Sequence, residues 1–355
     1  MNAQLDFASQ PLETATALPA RYYTGEDSLT RDLQQVFARS WQFVAHLSQL
    51  ANSGDHVVGR IGTLPVIAVR GEDGEIRAFH NVCRHRAGPL AQCDGLGAKA
   101  LRCRYHGWTY TLEGQLRSAP EMKDAQAFDV GDIRLPKLAV RLWQGLVFVA
   151  LDEAQAPDFD AFVDGIEARI GTDRGLEHYG RHHRVGYDID CNWKVYVDNY
   201  LEGYHVPHVH PELNRLLDYR SYRTELSRWY SLQWSPLESS DSLYGNGDAL
   251  YYWLWPTTML NILPGRLQVN RVLPLGPDRC RVEFDTWYGP DINDDDPRRQ
   301  ADIDFSDEVQ HEDIHICVDV QRGLASGSYV AGRLNPLRES GVHHFHELLR
   351  EAYRG

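Results

Sequence analysis

The sequence predicts an α+β protein with two domains, and three observations support this prediction. A chain of 355 residues is too long for one ordinary hydrophobic core, so its length indicates more than one domain. Residues 56–151 consist of short β-rich runs separated by Gly-rich or Asp-Gly turns. Residues 153–164 are acidic and contain Pro157, which is typical of a linker, and helical patterns mixed with strands follow them.

The first domain is predicted to be small and all-β, and a short N-terminal helix precedes it. Residues 29–41 carry apolar side chains at helical spacing after a polar lead. Strands are predicted at residues 56–61, 64–70, 76–80, 108–111 and 145–151. We therefore expect residues 1–40 to form a helix that packs on the second domain, and residues 41–152 to form the β domain.

The second domain, residues 153–355, is predicted to combine helices with several strands. Helical patterns occur at residues 160–170 and 193–205, and a last long helix is expected to begin at Ser306. The acidic segment 291–307 is expected to form a solvated loop and the start of that helix.

Composition and charge exclude several classes of partner. The chain carries 36 Lys and Arg against 50 Asp and Glu, a formal charge of −14, which repels nucleic acid and anionic lipid. The sequence contains no uncharged apolar run of about 18 residues, so no membrane span is predicted. Residues 1–18 lack the pattern of a secretory signal. We therefore expect a cytoplasmic protein, with no nucleic acid and no membrane as partner. The sequence contains neither a G-x-G-x-x-G motif nor a Walker loop, so no nucleotide site is predicted.

Two Cys/His pairs in the β domain form a first metal-binding pattern. Cys83 and His85 are followed, after 17 intervening residues, by Cys103 and His106. By spacing alone, two thiolates and two imidazoles could hold one tetrahedral Zn²⁺, or a [2Fe-2S] cluster with the Cys pair on one iron and the His pair on the other. Cys93 lies between the pairs and is expected to be a plain small apolar residue.

A second pattern lies on the helical run 193–205. Projected onto a helix, Asp198, Glu202 and His205 share one face, while bulky aromatic and aliphatic residues form another. A solvated polar face is the alternative explanation. Downstream, His208 and His210 are both possible partners of His205. An unbroken helix favours His208, but Pro207 is expected to break the helix, which frees the chain to bring His210 back.

The third ligand of this site is expected from the last long helix. Val309, Ile316, Val320 and Leu324 form an apolar stripe there, and Asp313 falls within about 20° of its centre. A carboxylate on a buried helix face calls for a partner. His205, His210 and Asp313 would make a 2-His-1-carboxylate site, which leaves positions open for O₂ on Fe(II).

These segments together resemble the oxygenase α subunits of Rieske non-haem iron oxygenases. The resemblance rests on the loops around Cys83-Arg-His85 and Cys103-Arg-Tyr-His106-Gly-Trp, on the run Asp198 to His210, and on Asp313 with its flanks. Within the family, the run 198–210 is most similar to choline monooxygenase-like members. The resemblance implies a small all-β Rieske [2Fe-2S] domain and a helix-grip catalytic domain, in which an antiparallel sheet wraps on a long helix.

The resemblance also implies roles, cofactors and partners. Cys83, His85, Cys103 and His106 would bind the [2Fe-2S] cluster, and His205, His210 and Asp313 would bind a mononuclear Fe(II), with O₂ as co-substrate. Glu202 would bridge to a cluster histidine of the neighbouring subunit in a homotrimer, and we group Asp198 with it as catalytic. Asn199 receives no role. Electrons would come from NAD(P)H through a separate flavin or iron-sulfur reductase, with or without a ferredoxin.

The sequence offers candidates for the substrate and for the residues that contact it. Aromatic side chains concentrate in the second domain, and a cage for a quaternary ammonium group would use such rings by cation-π attraction. The candidates for substrate contact are Trp229, Trp234, Tyr251, Trp253 and Trp255, with Tyr230 beside them. Packing of a sheet on a helix would need the same residues. Hydroxylation of a choline-type compound or N-demethylation of a betaine is expected first. The alternatives are hydroxylation of an aromatic compound or acid, and an electron-transfer iron-sulfur protein without catalysis.

Overall fold

The computed structural model describes residues 7–171, 175–237 and 243–354. The chain forms two compact units. The smaller comprises Ala38–Phe159 with Gly175–His178, and the larger comprises Met1–Phe37, Asp160–Arg174 and Tyr179–Gly355.

The smaller unit contains two antiparallel sheets. Its six-stranded sheet has the order β1-β9-β8-β4-β3-β2, and its three-stranded sheet has the order β5-β6-β7. The strands are β1 (Gln42–His46), β2 (His56–Ile61), β3 (Leu64–Arg70), β4 (Ile76–His80), β5 (Leu101–Arg102), β6 (Thr109–Tyr110), β7 (Leu116–Ser118), β8 (Lys137–Trp143) and β9 (Leu146–Ala150). Strands β2, β3 and β4 coincide with the predicted ranges, because short runs rich in β-forming residues stand between clear turns.

The larger unit contains one seven-stranded antiparallel sheet with the order β10-β16-β15-β14-β13-β12-β11. Its strands are β10 (Gly180–Ile189), β11 (Arg223–Leu226), β12 (Tyr230–Leu237), β13 (Gly247–Leu254), β14 (Thr258–Leu263), β15 (Arg266–Gly276) and β16 (Arg279–Tyr288). Strands β14 and β15 are buried along most of their length. The sheet therefore forms the centre of this unit's core.

Nine α-helices occur in the part of the chain that the structure describes, and none of them is long and apolar enough to cross a membrane. They are α1 (Arg21–Thr24), α2 (Glu26–Gln35), α3 (Phe159–Val163), α4 (Ile166–Ile170), α5 (Trp193–Tyr200), α6 (Val206–Val209), α7 (Pro211–Leu216), α8 (Pro297–Ala325) and α9 (Ser340–Arg354). The predicted helix 29–41 is in fact α2 followed by a 3₁₀ turn at Phe37–Arg39.

The long helix α8 lies on the sheet, as the predicted fold class requires. Tyr187 of β10 donates a hydrogen bond to Asp307 (2.7 Å), and Gln268 of β15 donates one to Ser306 (2.9 Å). Tyr288 of β16 donates one to Asp302 (2.8 Å). The α+β prediction with a helix against an antiparallel sheet is confirmed.

Two details of α8 differ from the prediction. The helix begins at Pro297 rather than Ser306, because Asp296 caps its N-terminus by accepting a hydrogen bond from the Arg298 N–H and proline suits the first helical position. Val320 is exposed, at 44%, and does not belong to the buried stripe. The fully buried positions are largely polar: Asp302, Gln310, Cys317, Gln321 and Leu324. The side chains of Asp302, Gln310 and Gln321 form hydrogen bonds inside the unit, so hydrophobicity alone misplaces the centre of the face.

Candidate metal centres and active site

Two loops carry the Cys/His pairs. The loop after β4 carries Cys83 and His85, and the loop between β5 and β6 carries Cys103 and His106. Each loop closes on itself, with Ala87 N–H donating to the Cys83 carbonyl (3.1 Å) and Gly107 N–H donating to the Cys103 carbonyl (3.0 Å). Gly107 has φ +74°, in the left-handed region that glycine adopts readily.

The two loops approach each other closely. A Cβ on Gly88 would lie 2.9 Å from the Cys103 Sγ, so only glycine leaves room at this point. The Cys83 Sγ lies 3.3 Å from the Tyr110 hydroxyl, and burial together with the neighbouring Cys83 raises the pKa of the Cys103 thiol. Both thiols belong to the apolar core of the unit.

The two imidazoles form a second pair beside the thiols. The rings of His85 and His106 have their centroids 4.6 Å apart, and His85 stacks on Trp108 at 4.8 Å with an angle of 9° between the ring planes. The Nδ1 of His85 is buried and has no hydrogen-bond partner among the described residues. A thiol pair and an imidazole pair, with a buried nitrogen left for a ligand, fit a [2Fe-2S] cluster held by two Cys and two His.

The second candidate centre is built by a break in the chain after α5. Helix α5 ends at Tyr200, and the Glu202 carboxylate accepts hydrogen bonds from the N–H groups of Tyr204 and His205. The short helices α6 and α7 follow, with His205 before α6 and His210 between them. Two turns in quick succession therefore bring both histidines to one place.

His205, His210 and Asp313 come together at this break. Their ligand atoms all lie within 4.8 Å of one another. The Asp313 Oδ1 lies 3.0 Å from the His210 Nε2 and 3.7 Å from the His205 Nε2, and the two imidazole centroids are 5.0 Å apart. Two imidazole nitrogens and one carboxylate converging from one side are the donor set that suits a non-haem iron with open positions.

Each ligand is oriented by a neighbour. His205 Nδ1 lies 2.7 Å from Glu202 Oε1, and His210 Nδ1 lies 2.6 Å from Glu312 Oε2. Asn199 donates to Asp313 Oδ1 at 2.6 Å. Burial disfavours a charged His210, but the hydrogen bonds and charges of Asp313 and Glu312 hold the pKa of this imidazole above its ordinary value. The carboxylates occupy both Nδ1 atoms, so the Nε2 atoms are left to face a metal.

A cavity of about 120 Å³ adjoins the triad inside the larger unit. Seven of its lining side chains are aromatic: Tyr196, Tyr200, Tyr222, Tyr244, Tyr251, Phe284 and Phe305. Burial raises the pKa of Tyr251 to about 12, so its hydroxyl is neutral. Arg266, Gln268 and Asn270 add a polar row along β15.

Comparison with known proteins agrees with both sites. Residues 40–132 match the Rieske [2Fe-2S] domain, and residues 176–355 match the ring hydroxylating alpha subunit (catalytic domain). The chain belongs to the Rieske non-haem iron oxygenases. It is therefore an oxidoreductase, as the resemblance predicted.

Relatives of this oxygenase act on quaternary ammonium compounds. It is 38% identical to choline monooxygenase, chloroplastic, of Arabidopsis thaliana, over 96% of this chain and 83% of that one. It is 31% identical to the carnitine monooxygenase oxygenase subunit of Escherichia coli (strain K12), over 98% of this chain and 96% of that one. A solved structure of the quaternary ammonium Rieske monooxygenase CntA with substrate L-carnitine superposes with a TM-score of 0.85 at 27% identity, covering 98% and 99% of the two chains.

Two further residues considered in the sequence, His208 and Asp198, lie outside the triad. His208 is exposed, so His210 is the histidine that faces His205. Asp198 does not line the cavity beside the triad; it accepts a hydrogen bond from Tyr23 (2.7 Å) and contacts His346 Nε2 (2.9 Å).

Two side chains beside the triad received no role from the sequence. They are Glu312, which contacts His210, and Asn199, which donates a hydrogen bond to Asp313. Their adjacency to Asp313 and Asp198 in the sequence was the available signal.

Four of the five predicted substrate aromatics lie away from the cavity, and only Tyr251 of that group lines it. Strand alternation is one reason: on β12, Gln233 lines the cavity and Trp234 points to the other face, where its indole N–H donates to Glu225 (2.7 Å). Trp229 lies under the guanidinium of Arg228 instead (4.2 Å).

Trp253 shares the face of Tyr251 on β13 but lies two residues further along, under α9. Its ring is fully buried 5.3 Å from Phe345, and Trp255 packs on the same ring at 6.2 Å. Both residues are buried and neither lines the cavity, which favours core packing over substrate contact.

Proposed function

We propose that this Rieske oxygenase hydroxylates or N-demethylates a small quaternary ammonium compound of the choline or betaine type. The observation that carries the proposal is the aromatic wall of the cavity beside His205, His210 and Asp313. Aromatic faces attract quaternary ammonium groups, and the carboxylates near the triad add negative charge. The relatives named for choline and carnitine support the same class.

Cys83, His85, Cys103 and His106 would hold the [2Fe-2S] cluster, and His205, His210 and Asp313 would hold Fe(II). When bound, the cluster supplies single electrons and the iron activates O₂. The chain's own residues prepare these sites. Glu202 and Glu312 fix the two imidazoles, and Asn199 fixes the carboxylate.

We further propose that electrons come from NAD(P)H through a separate reductase, and that three copies of the chain assemble head to tail. The relative named as an oxygenase subunit supports a separate reductase. Glu202 and His205 line the substrate cavity and also a second cavity of about 680 Å³, which they share with Asp198. This position supports the proposal that Glu202 links the iron site with a cluster of another subunit.

The test is O₂ consumption by the metal-loaded protein with a partner reductase and NADH. Quaternary ammonium compounds and aromatic acids are screened side by side. We expect O₂ uptake with the ammonium compounds, together with a hydroxylated or demethylated product. Uptake coupled only to an aromatic substrate would favour ring hydroxylation, which the description of the matched catalytic domain keeps as a second candidate.

Iron and sulfide analysis separates catalysis from simple electron transfer. An oxygenase should carry a two-iron cluster and one further iron per chain. A His205→Ala variant should lose only the further iron, and an unchanged iron content would contradict the assignment of the triad.

A further inference from the structure

A buried arginine lies in the wall of the same cavity. Arg266, Gln268 and Asn270 occupy alternate positions on β15, so their side chains share one face, and all three line the cavity. Arg266 is 5% exposed. A guanidinium is rarely buried without a paired anion. The hydrogen-bond donors that its partners leave unused are those that could bind a ligand.

Asp302 neutralises Arg266 through one side of the guanidinium. The Arg266 Nε donates to Asp302 Oδ2 (2.8 Å), and Asp302 also accepts hydrogen bonds from the hydroxyls of Tyr244 (2.5 Å) and Tyr288 (2.8 Å). Three donors therefore satisfy this carboxylate. The Nη groups of Arg266 make no hydrogen bond with any residue that the structure describes, so their donors are left for a ligand. Arg266 lines the cavity beside the triad and also a smaller one of about 30 Å³.

Asp302 and Asp313 are three turns apart on α8, about 16 Å along the helix axis. Eleven residues return to nearly the same face of a helix, so both carboxylates lie on nearly one face of α8. One holds the arginine and the other faces the histidine pair. The cavity therefore has the guanidinium of the Arg266–Asp302 pair at one place and the triad at another, with aromatic rings in its lining.

We infer that the Nη groups of Arg266 bind the carboxylate of the substrate, and that the substrate class is a quaternary ammonium carboxylate rather than an amino alcohol such as choline. A planar guanidinium fits a carboxylate with two parallel hydrogen bonds. This binding mode directs the ammonium end of the molecule toward the triad. The inference rests on the proposed function and specifies its substrate.

The test compares L-carnitine with choline, because both carry a trimethylammonium and a hydroxyl group and only L-carnitine carries a carboxylate. Dissociation constants are measured by calorimetry on the metal-loaded protein without O₂. Arg266→Gln should reduce the preference for L-carnitine over choline by about 30-fold or more. Arg266→Lys should lose part of it, because an ammonium cannot form the paired hydrogen bonds.

Two controls guard against a folding effect. The Arg266→Gln, Asp302→Asn double variant removes both charges, so no unpaired carboxylate is left buried. Arg215→Gln removes an exposed positive charge on α7 and should leave the preference unchanged. The cluster absorption spectrum and the melting temperature are recorded for every variant.

Equal losses for L-carnitine and choline in both Arg266→Gln backgrounds would overturn the inference and leave the proposed function standing. If the wild-type protein binds neither compound but binds an aromatic acid, the proposed function fails. In that case an unchanged affinity of Arg266→Gln for the aromatic acid would also overturn the role of Arg266 in binding the carboxylate. A loss of affinity of about 30-fold or more would support that role.

Discussion

At the candidate iron site, the Nδ1 atom of each histidine is paired with a glutamate carboxylate. Glu202 and Glu312 lie within hydrogen-bonding distance of the Nδ1 atoms of His205 and His210, which fixes both tautomers with Nε2 free. Such partners set the orientation and basicity of metal-binding imidazoles. The two glutamates differ in surroundings, since Glu202 lines both cavities and Glu312 lines neither.

Glu202→Gln should leave both metal centres bound and suppress turnover. The amide keeps the size of the side chain but loses the charge, which on our proposal couples His205 to an incoming electron donor. Iron content and the cluster spectrum should match the wild type, while O₂ uptake with the reductase should fall at least about tenfold. Glu212→Gln on the exposed side of α7 is the control. Unchanged O₂ uptake with the reductase in Glu202→Gln would rule out the proposed link through Glu202 between the cluster and the iron site.

Glu312→Ala should weaken iron binding at the triad without affecting the cluster. Loss of the partner that orients His210 costs about 10- to 100-fold in metal affinity at comparable sites. Competition with an Fe(II) chelator measures the change, and the cluster spectrum serves as an internal reference. Glu308→Ala, an exposed position four residues earlier on α8, should behave like the wild type. Equal iron affinity in both variants would contradict the role of Glu312.

At the scale of helices and strands, local sequence signals decided which functional residues could be predicted. His205, His210 and Asp313 were found because a proline, a polar helix face and a lone buried carboxylate leave local signals. The boundaries around them were less predictable. The helix predicted over 193–205 ends at Tyr200, before Pro207, because Glu202 caps the backbone of the following turn. Tyr204, one of the bulky residues on the other face of the predicted helix, lies beyond this end and is exposed.

Trp253 tests the distinction between packing and substrate contact on β13. Trp253→Ala should lower the free energy of unfolding by about 3–5 kcal/mol, because it removes a fully buried ring beside Phe345. Tyr251→Phe, on the same strand and face, should change the KM of the substrate with little loss of stability. Denaturation curves and steady-state kinetics on both variants make the comparison. A raised KM without lost stability in Trp253→Ala would reinstate it as a substrate residue.

Asp285 joins strands β10, β15 and β16 and makes the stability of the sheet sensitive to acid. Burial alone would raise the pKa of Asp285, but Arg271, His182 and Arg184 outweigh it and lower the pKa to about 2. Because the folded-state pKa lies below the ordinary 3.8, the contribution is complete above that value and is lost as the pH falls toward 2. It amounts to about 2 kcal/mol.

The acid effect is measured as the stability difference between the wild type and Asp285→Asn. The difference should be largest near pH 6 and shrink as the pH is lowered toward 2.5. A difference that stays constant over this range would show that the charge of Asp285 contributes nothing to it.

At the scale of the whole molecule, the sequence predicted the fold class, the family and the positions of both metal patterns. These depend on short motifs and on period-two or helical spacing, which are local. The cavity wall was not predictable in the same way, since Tyr196, Phe284 and Phe305 come from α5, β16 and α8. The expected cytoplasmic location, the homotrimer and the reductase stay predictions.

The central claim is that the triad oxygenates a quaternary ammonium compound, and a single-turnover reaction tests it without any partner protein. The metal-loaded oxygenase is chemically reduced, mixed with ¹⁸O₂ and L-carnitine or choline, and quenched, and the products are examined by mass spectrometry. We predict an oxygenated product carrying ¹⁸O, or the demethylated amine with formaldehyde, in the wild type and none in His205→Ala. Unchanged ammonium compounds in a fully reduced, fully loaded enzyme that oxygenates an aromatic acid would contradict the claim.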